Sequence, residues 1–130
     1  QATTVQETDE LPARSQECTA AGQPPIEIVP FDSQDAATNA VVLGQADAMS
    51  ADSPVTLYAI KQTNGQLEQA GEVFDSAPYG WPVEKGSPLA QSLLQALEHL
   101  IDNGQYREIA TNWGLEEGLI DKPVINGAVS

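Results

Sequence analysis

The residues best suited to hold a ligand lie where two helices are predicted to begin. Asp52 directly precedes Ser53 and Pro54, and Thr3 and Thr4 stand near the start of the chain. Ser53 is a good N-cap and Pro54 suits the first helical position, which would leave the Asp52 carboxylate available to a ligand. An acid at this place also gains roughly 0.3–1 kcal/mol from the helix dipole without any ligand, so both interpretations stay open.

The two threonines have a similar double interpretation. Thr4 and Glu7 have the spacing of a capping box, and Thr3 and Gln6 offer a second register. As plain caps these residues need no ligand. Free amides at a helix N-terminus nevertheless favour an anion, so the same turn is a candidate anion site.

Composition excludes several classes of partner. The chain has 130 residues, 41% of them hydrophobic, which suits one ordinary domain. Its 19 acids and 5 bases give a net charge of −14, which argues against binding to nucleic acid or to anionic membrane surfaces. Because the sequence opens at Gln1 without a signal peptide, we expect a processed chain or an excised piece.

Metal, cofactor and enzyme chemistry are not predicted. The sequence has one cysteine, Cys18, and one histidine, His99. A structural zinc site usually needs about four such ligands, so no zinc site is predicted. A single cysteine also excludes an internal disulfide, although a partner outside these residues is left open. No His, Lys or Cys falls near the two candidate turns to act as an acid or base beside Asp52.

The first half of the chain contains two further helix patterns. The opening helix should last little more than two turns, because Pro12 interrupts it. A second helix is predicted from a cap at Asp32 or Ser33 to Gly44. Its predicted apolar face comprises Ala36, Ala40, Val41 and Leu43.

Strand patterns alternate with these helices. Residues 26–31, 46–51 and 67–74 are predicted strands, and a turn is predicted at 64–65 after the helix that begins at Ser53. Such alternation favours an α/β fold with a mostly parallel sheet. Ligands bind such sheets beyond the carboxyl ends of the strands, where both candidate turns are expected.

The last third has a short strand pattern at 79–83 and two amphipathic helices. The first helix should be capped by Ser87 and ended by Gly104, and the second should follow directly. The predicted apolar stripe of the first helix contains Leu89, Leu93, Ala96, Leu97, Leu100 and Ile101. That of the second contains Tyr106, Ile109, Ala110 and Trp113.

Three segments in register resemble a known family. The segments "DAMSADSPVTLYAIKQ", "GEVFDSAPYGWPVEKGSPL" and "LIDNGQYREIATNWG" look like those of extracellular solute-binding proteins of bacterial polar amino-acid ABC transporters. The opening "ATTVQE" resembles the family's G-T-T-x-E turn, with Ala2 where glycine is usual. The resemblance runs from Ala2 to about Trp113. It implies a periplasmic-binding-protein-like lobe, with a mostly parallel sheet flanked by helices, plus C-terminal helices.

The resemblance also implies how the chain is divided and where its site lies. Residues 1–78 would form the second lobe of a two-lobe protein. Residues 79–130 would form a hinge strand and helices that return to a first lobe whose remainder is absent. Asp52 would receive the α-ammonium of an amino acid. Thr3, Thr4 and Val5 would receive its α-carboxylate, mainly through the Thr4 hydroxyl and the amides of Thr4 and Val5.

The function implied is extracellular or periplasmic capture of a polar amino acid and its delivery to the membrane permease of an ABC importer. The full-length protein could carry a lipid anchor, and the uncovered C-terminal stripes predict self-association of the fragment. Two alternatives stay open: the sensor domain of a receptor, and a dehydratase-type enzyme on the same scaffold. The ending "PVINGAVS" is more typical of a natural C-terminus than of a sensor continuing into a membrane span.

Overall fold

A computed structural model of the chain describes residues 1–127, so the end of the "PVINGAVS" segment lies outside the described residues. Internal contacts divide the chain into two units, Gln1–Gln69 and Ala70–Ser130. The division after residue 78, taken from the resemblance, stays a prediction. Among the described helices, none is long and apolar enough to cross a membrane.

The opening helix of the first unit is longer than predicted. A π-helical segment, Gln6–Glu10, continues directly into helix α1, Leu11–Ala20. The prediction that Pro12 limits this helix is wrong. Pro12 lies in the first turn of α1, after the wider π turn, where a missing N–H costs little. Single π turns inside helices are frequent at functional sites.

Helix α2, Gln34–Val42, begins as predicted. The Ser33 hydroxyl accepts a hydrogen bond from the Ala36 amide at 3.2 Å, so Ser33 is the cap rather than Asp32. Gly44 follows the helix with φ of 69°, a left-handed conformation that glycine adopts without steric cost. These local signals therefore locate both ends of the helix.

Small side chains form the buried part of the first unit. Ala37 and Ala40 of α2 are buried, as is Ala59 of helix α3, Ser53–Gln62. Leu43 is 69% exposed, so its place on the predicted apolar face is wrong. It lies just beyond the end of α2, where the chain turns away at Gly44.

The predicted sheet is not confirmed, because no strand occurs among residues 1–127. A strand needs a neighbour that bonds to it repeatedly along a ladder. Residues 26–31 instead make isolated backbone contacts, such as the bond from the Ala2 amide to the Phe31 carbonyl at 2.8 Å. Residues 46–51, 67–74 and 79–83 are likewise without strand structure.

The segment 46–51 nevertheless has a definite place against α2. The Met49 sulfur accepts hydrogen bonds from the Gln34 side-chain amide at 3.5 Å and the Thr38 hydroxyl at 3.4 Å. The segment then leads into α3, which ends in the predicted turn at Asn64 and Gly65, with φ of 50° and 83°. The approach to Asp52 is therefore fixed by α2 on one side.

The second unit contains the two predicted amphipathic helices, α4 (Leu89–Asp102) and α5 (Gln105–Trp113), followed by the 3-10 turn Glu116–Gly118. The Ser87 hydroxyl accepts from the Leu89 amide at 3.2 Å, but Pro88 holds the N-cap position of α4 without a side-chain capping bond, so the predicted cap at Ser87 is wrong by one residue. Gly104, with φ of 83°, separates the two helices as predicted.

Helices α4 and α5 contact each other, but their predicted apolar stripes are covered only in part. Ala110 is buried, as predicted for the apolar stripe of α5. Ile109 and Trp113 were also predicted to face inward, but about half of each side chain is exposed. An apolar groove of about 260 Å³ runs along α4. Its lining includes Trp81, Val83, Leu93, Leu97, Pro123 and Ile125.

Candidate ligand-binding site

Asp52 occupies the N-cap position of α3, with φ of −55° and ψ of 145°. Its carbonyl accepts the amides of Val55 at 2.9 Å and Thr56 at 3.0 Å, so the backbone of Asp52 opens the helix. The prediction that Ser53 is the cap is wrong by one residue, since Ser53 is already helical. The Asp52 carboxylate makes no capping bond to α3.

The Asp52 side chain is held by Gln6. Its Oδ1 atom accepts a hydrogen bond from the Gln6 side-chain amide nitrogen at 2.7 Å, across 46 residues of sequence. Gln6 directly follows Val5 and so lies one residue beyond the predicted site residues Thr3, Thr4 and Val5. The contact therefore joins Asp52, the predicted ammonium partner, to the segment that follows the predicted carboxylate partners Thr4 and Val5.

A second bond keeps the opening helix beside the same segment. The Ser50 hydroxyl donates to the Glu10 carboxylate at 2.8 Å. Gln6 and Glu10 are four residues apart on one helix, so they face the same neighbour. Together the two bonds align the start of the helix with residues 50–52.

The predicted capping box between Thr4 and Glu7 is not formed. The Thr4 hydroxyl donates to the Gln1 carbonyl at 2.7 Å, and the Glu7 carboxylate accepts from the Thr3 amide at 3.0 Å. Thr3 in this turn has φ of 62°, a left-handed conformation that is uncommon for threonine. The alternative register through Gln6 is not formed either, since that side chain contacts Asp52.

Two amides of this turn lack a hydrogen-bond acceptor in the described part of the chain. Within residues 1–127, the amides of Thr4 and Val5 make no hydrogen bond, whereas the Thr3 amide is taken by Glu7. Val5 is 66% exposed, so the turn is open to solvent. Such amides at the start of a helix can bind an anion.

Sequence patterns identified Asp52 and the threonines but missed Gln6. The only signal for Gln6 was its place in the alternative capping register, which pointed to a local role. Its actual partner lies in another segment, and no local pattern encodes that contact. The arrangement combines a carboxylate, which binds cations, with amides, which bind anions.

Comparison with known proteins supports the resemblance. The chain is 43% identical over 126 residues to the arginine-binding protein ArgT of Corynebacterium glutamicum, a match that covers 97% of this chain and 41% of ArgT. It is 32% identical over 95 residues to the ABC transporter glutamine-binding protein GlnH of Bacillus subtilis, covering 72% of this chain and 34% of GlnH. No family model and no solved structure matches the chain.

These matches confirm the predicted resemblance to solute-binding proteins of amino-acid ABC transporters. Similarity to ArgT extends over nearly the whole chain. The chain spans about two fifths of the length of ArgT and about a third of that of GlnH.

Proposed function

We propose that the protein containing this chain captures a polar amino acid outside the cytoplasmic membrane and delivers it to the permease of an ABC importer. The observation that carries the proposal is the 2.7 Å bond from Gln6 to Asp52, which joins an acid to the residue that directly follows Thr4 and Val5. The proposed role is binding and transport rather than catalysis. Similarity to ArgT and GlnH favours it over a sensor or a dehydratase.

In this proposal the two ends of a zwitterion meet different groups. Asp52 receives the α-ammonium, and the amides of Thr4 and Val5 receive the α-carboxylate. The Thr4 hydroxyl joins them by exchanging its bond to the Gln1 carbonyl for one to the ligand. Thr3 supports the turn, because its own amide already donates to Glu7. Hydrogen bonds to charged groups contribute about 1.5–3 kcal/mol each when they are well formed.

Arginine is the first ligand to test. The name of ArgT, the relative that matches nearly the whole chain, specifies arginine, while that of GlnH specifies glutamine. A net charge of −14 raises the local concentration of a cationic ligand, which favours arginine over neutral amino acids.

The proposed architecture follows the family. Residues 1–78 contribute a second lobe, and residues 79–130 a hinge strand and helices that return to a first lobe. The extended segments of the first unit would become strands of a parallel sheet once neighbouring strands complete the ladder. The complete protein would be periplasmic or extracellular. An extracellular protein of this kind would be held at the membrane by a lipid anchor.

Calorimetry on the complete protein tests the proposed function. Arginine, glutamine and the other amino acids would be titrated one at a time under the same salt conditions. Saturable binding of one or a few polar amino acids is the expected result. Absence of binding by any amino acid would contradict the proposal.

Replacing Val5 by proline in the complete protein should weaken amino-acid binding about tenfold or more, because it deletes one amide of the anion site. Val5 has φ of −57°, which proline adopts, and it stands at the start of the helix, so the melting temperature should not fall. Calorimetry and thermal unfolding measure the two effects. Val5→Ala, which keeps the amide, is the control, and equal affinity of both variants would contradict the assignment.

The isolated 130 residues should self-associate. Trp81 is 64% exposed beside the α4 groove, and a surface of this kind drives association when nothing covers it. Light scattering across a concentration series should show a rising mean mass, and Trp81→Gln should reduce it. Leu43→Gln, which changes an equally exposed residue of the first unit, should not. A constant monomer mass would contradict the prediction.

A further inference from the structure

We propose that Gln6 is a positioning residue of the ligand site, which holds the Asp52 carboxylate in the orientation that receives the ligand's ammonium. The inference rests on the proposed function. Gln6 was not among the predicted site residues. It connects the turn of Thr3, Thr4 and Val5 to Asp52.

The geometry supports this role directly. The bond from Gln6 to Asp52 is 2.7 Å long, which is short for an amide donor and typical of a charge-assisted hydrogen bond. The Asp52 carboxylate makes no capping bond to its own helix. The bond from Gln6 is therefore one of the contacts that set its orientation.

The opening helix keeps Gln6 at the correct place. The bond between Ser50 and Glu10 fixes the next turn of the helix against the same segment, so Gln6 is not at the end of a free chain. Thr4 and Val5 are the two residues immediately before Gln6 in the sequence. A displacement of this turn would therefore move the anion-binding amides and the donor to Asp52 together.

The chemical nature of glutamine suits a site for a cation. A carboxylate has about four acceptor positions, and the bond from Gln6 occupies one of them. A lysine or arginine at this place would orient Asp52 equally well but would neutralise its charge. A neutral donor orients the carboxylate and preserves its attraction for the ligand.

The experiment compares Gln6→Met with Gln16→Met in the complete protein, by calorimetry with L-arginine and L-glutamine. Methionine keeps the length of the side chain but removes the donor, and Gln16 is an exposed glutamine of α1 that serves as the control. We expect Gln6→Met to weaken binding about tenfold, or about 1.4 kcal/mol, and Gln16→Met to have no effect. In an Asp52→Asn background, measured at high ligand concentration, Gln6→Met should change affinity less than twofold.

Other outcomes separate the two proposals. Wild-type affinity in Gln6→Met, or an equal loss in both backgrounds, would overturn the role of Gln6 while the proposed function stands. If the wild type binds no amino acid, the proposed function fails. NMR then tests the contact without ligand, since the Gln6 side-chain amide signals should shift between wild type and Asp52→Asn. Unchanged signals would overturn the inference by itself, because the contact between Gln6 and Asp52 would then not exist in solution.

Discussion

Replacing Asp52 by alanine in the complete protein is expected to lower amino-acid affinity at least about a hundredfold, equivalent to about 2.7 kcal/mol. The substitution removes the proposed partner of the ligand's ammonium, and in the proposed two-lobe cleft a charge left without a partner would be costly. Calorimetry with L-arginine and L-glutamine measures the effect.

Stability should change little in the same variant. The Asp52 backbone carbonyl opens α3 whatever the side chain is, and the carboxylate makes no capping bond to the helix. The loss of the exposed bond to Gln6 should cost no more than about 1 kcal/mol. Asp47→Ala, which removes another exposed acid of the same segment, is the matched control. Near-normal affinity after Asp52→Ala, or equal losses in both variants, would contradict the assignment.

The second large effect concerns the 130 residues in isolation, which should show no saturable amino-acid binding below millimolar concentrations. In the proposed architecture they supply one wall of a cleft, and the first lobe that would supply the opposite wall is absent. The turn of Thr4 and Val5 is open to solvent, so charge-assisted bonds formed there compete with water.

Calorimetry would compare the isolated chain with the complete protein at the same ligand concentrations. Circular dichroism would confirm that helices such as α4 are retained in the isolated chain, so that absence of binding is not caused by unfolding. Micromolar affinity of the 130 residues alone would show that they contain the whole site, contrary to the two-lobe proposal.

Local sequence determined most of the helical structure. Ser33 caps α2 as predicted, Ser87 bonds the first amide of α4 from one residue before the N-cap, and Gly104 separates α4 from α5 in a left-handed conformation. Each of these features depends on groups within about four residues of one another, so the pattern that specifies them is visible in a short segment. The Asn64 turn is of the same kind.

The candidate site was predicted only in part. The sequence, through its resemblance to amino-acid-binding proteins, indicated Asp52 and the turn of Thr3, Thr4 and Val5. The sequence predicted Ser53 as the N-cap of α3, whereas Asp52 is the N-cap and Ser53 is the first helical residue. Either residue satisfies the local rules for a cap, so the choice between them depends on how the preceding segment approaches.

Tertiary structure alone decided the contacts that assemble the site. The bond between Gln6 and Asp52 joins residues 46 apart, and that between Glu10 and Ser50 joins residues 40 apart. No periodicity or cap links such positions, because their proximity depends on how α2 and the opening helix pack around residues 46–52. The absence of strands among residues 1–127 has the same physical reason: a helix satisfies its backbone within one segment, but a strand requires a neighbour.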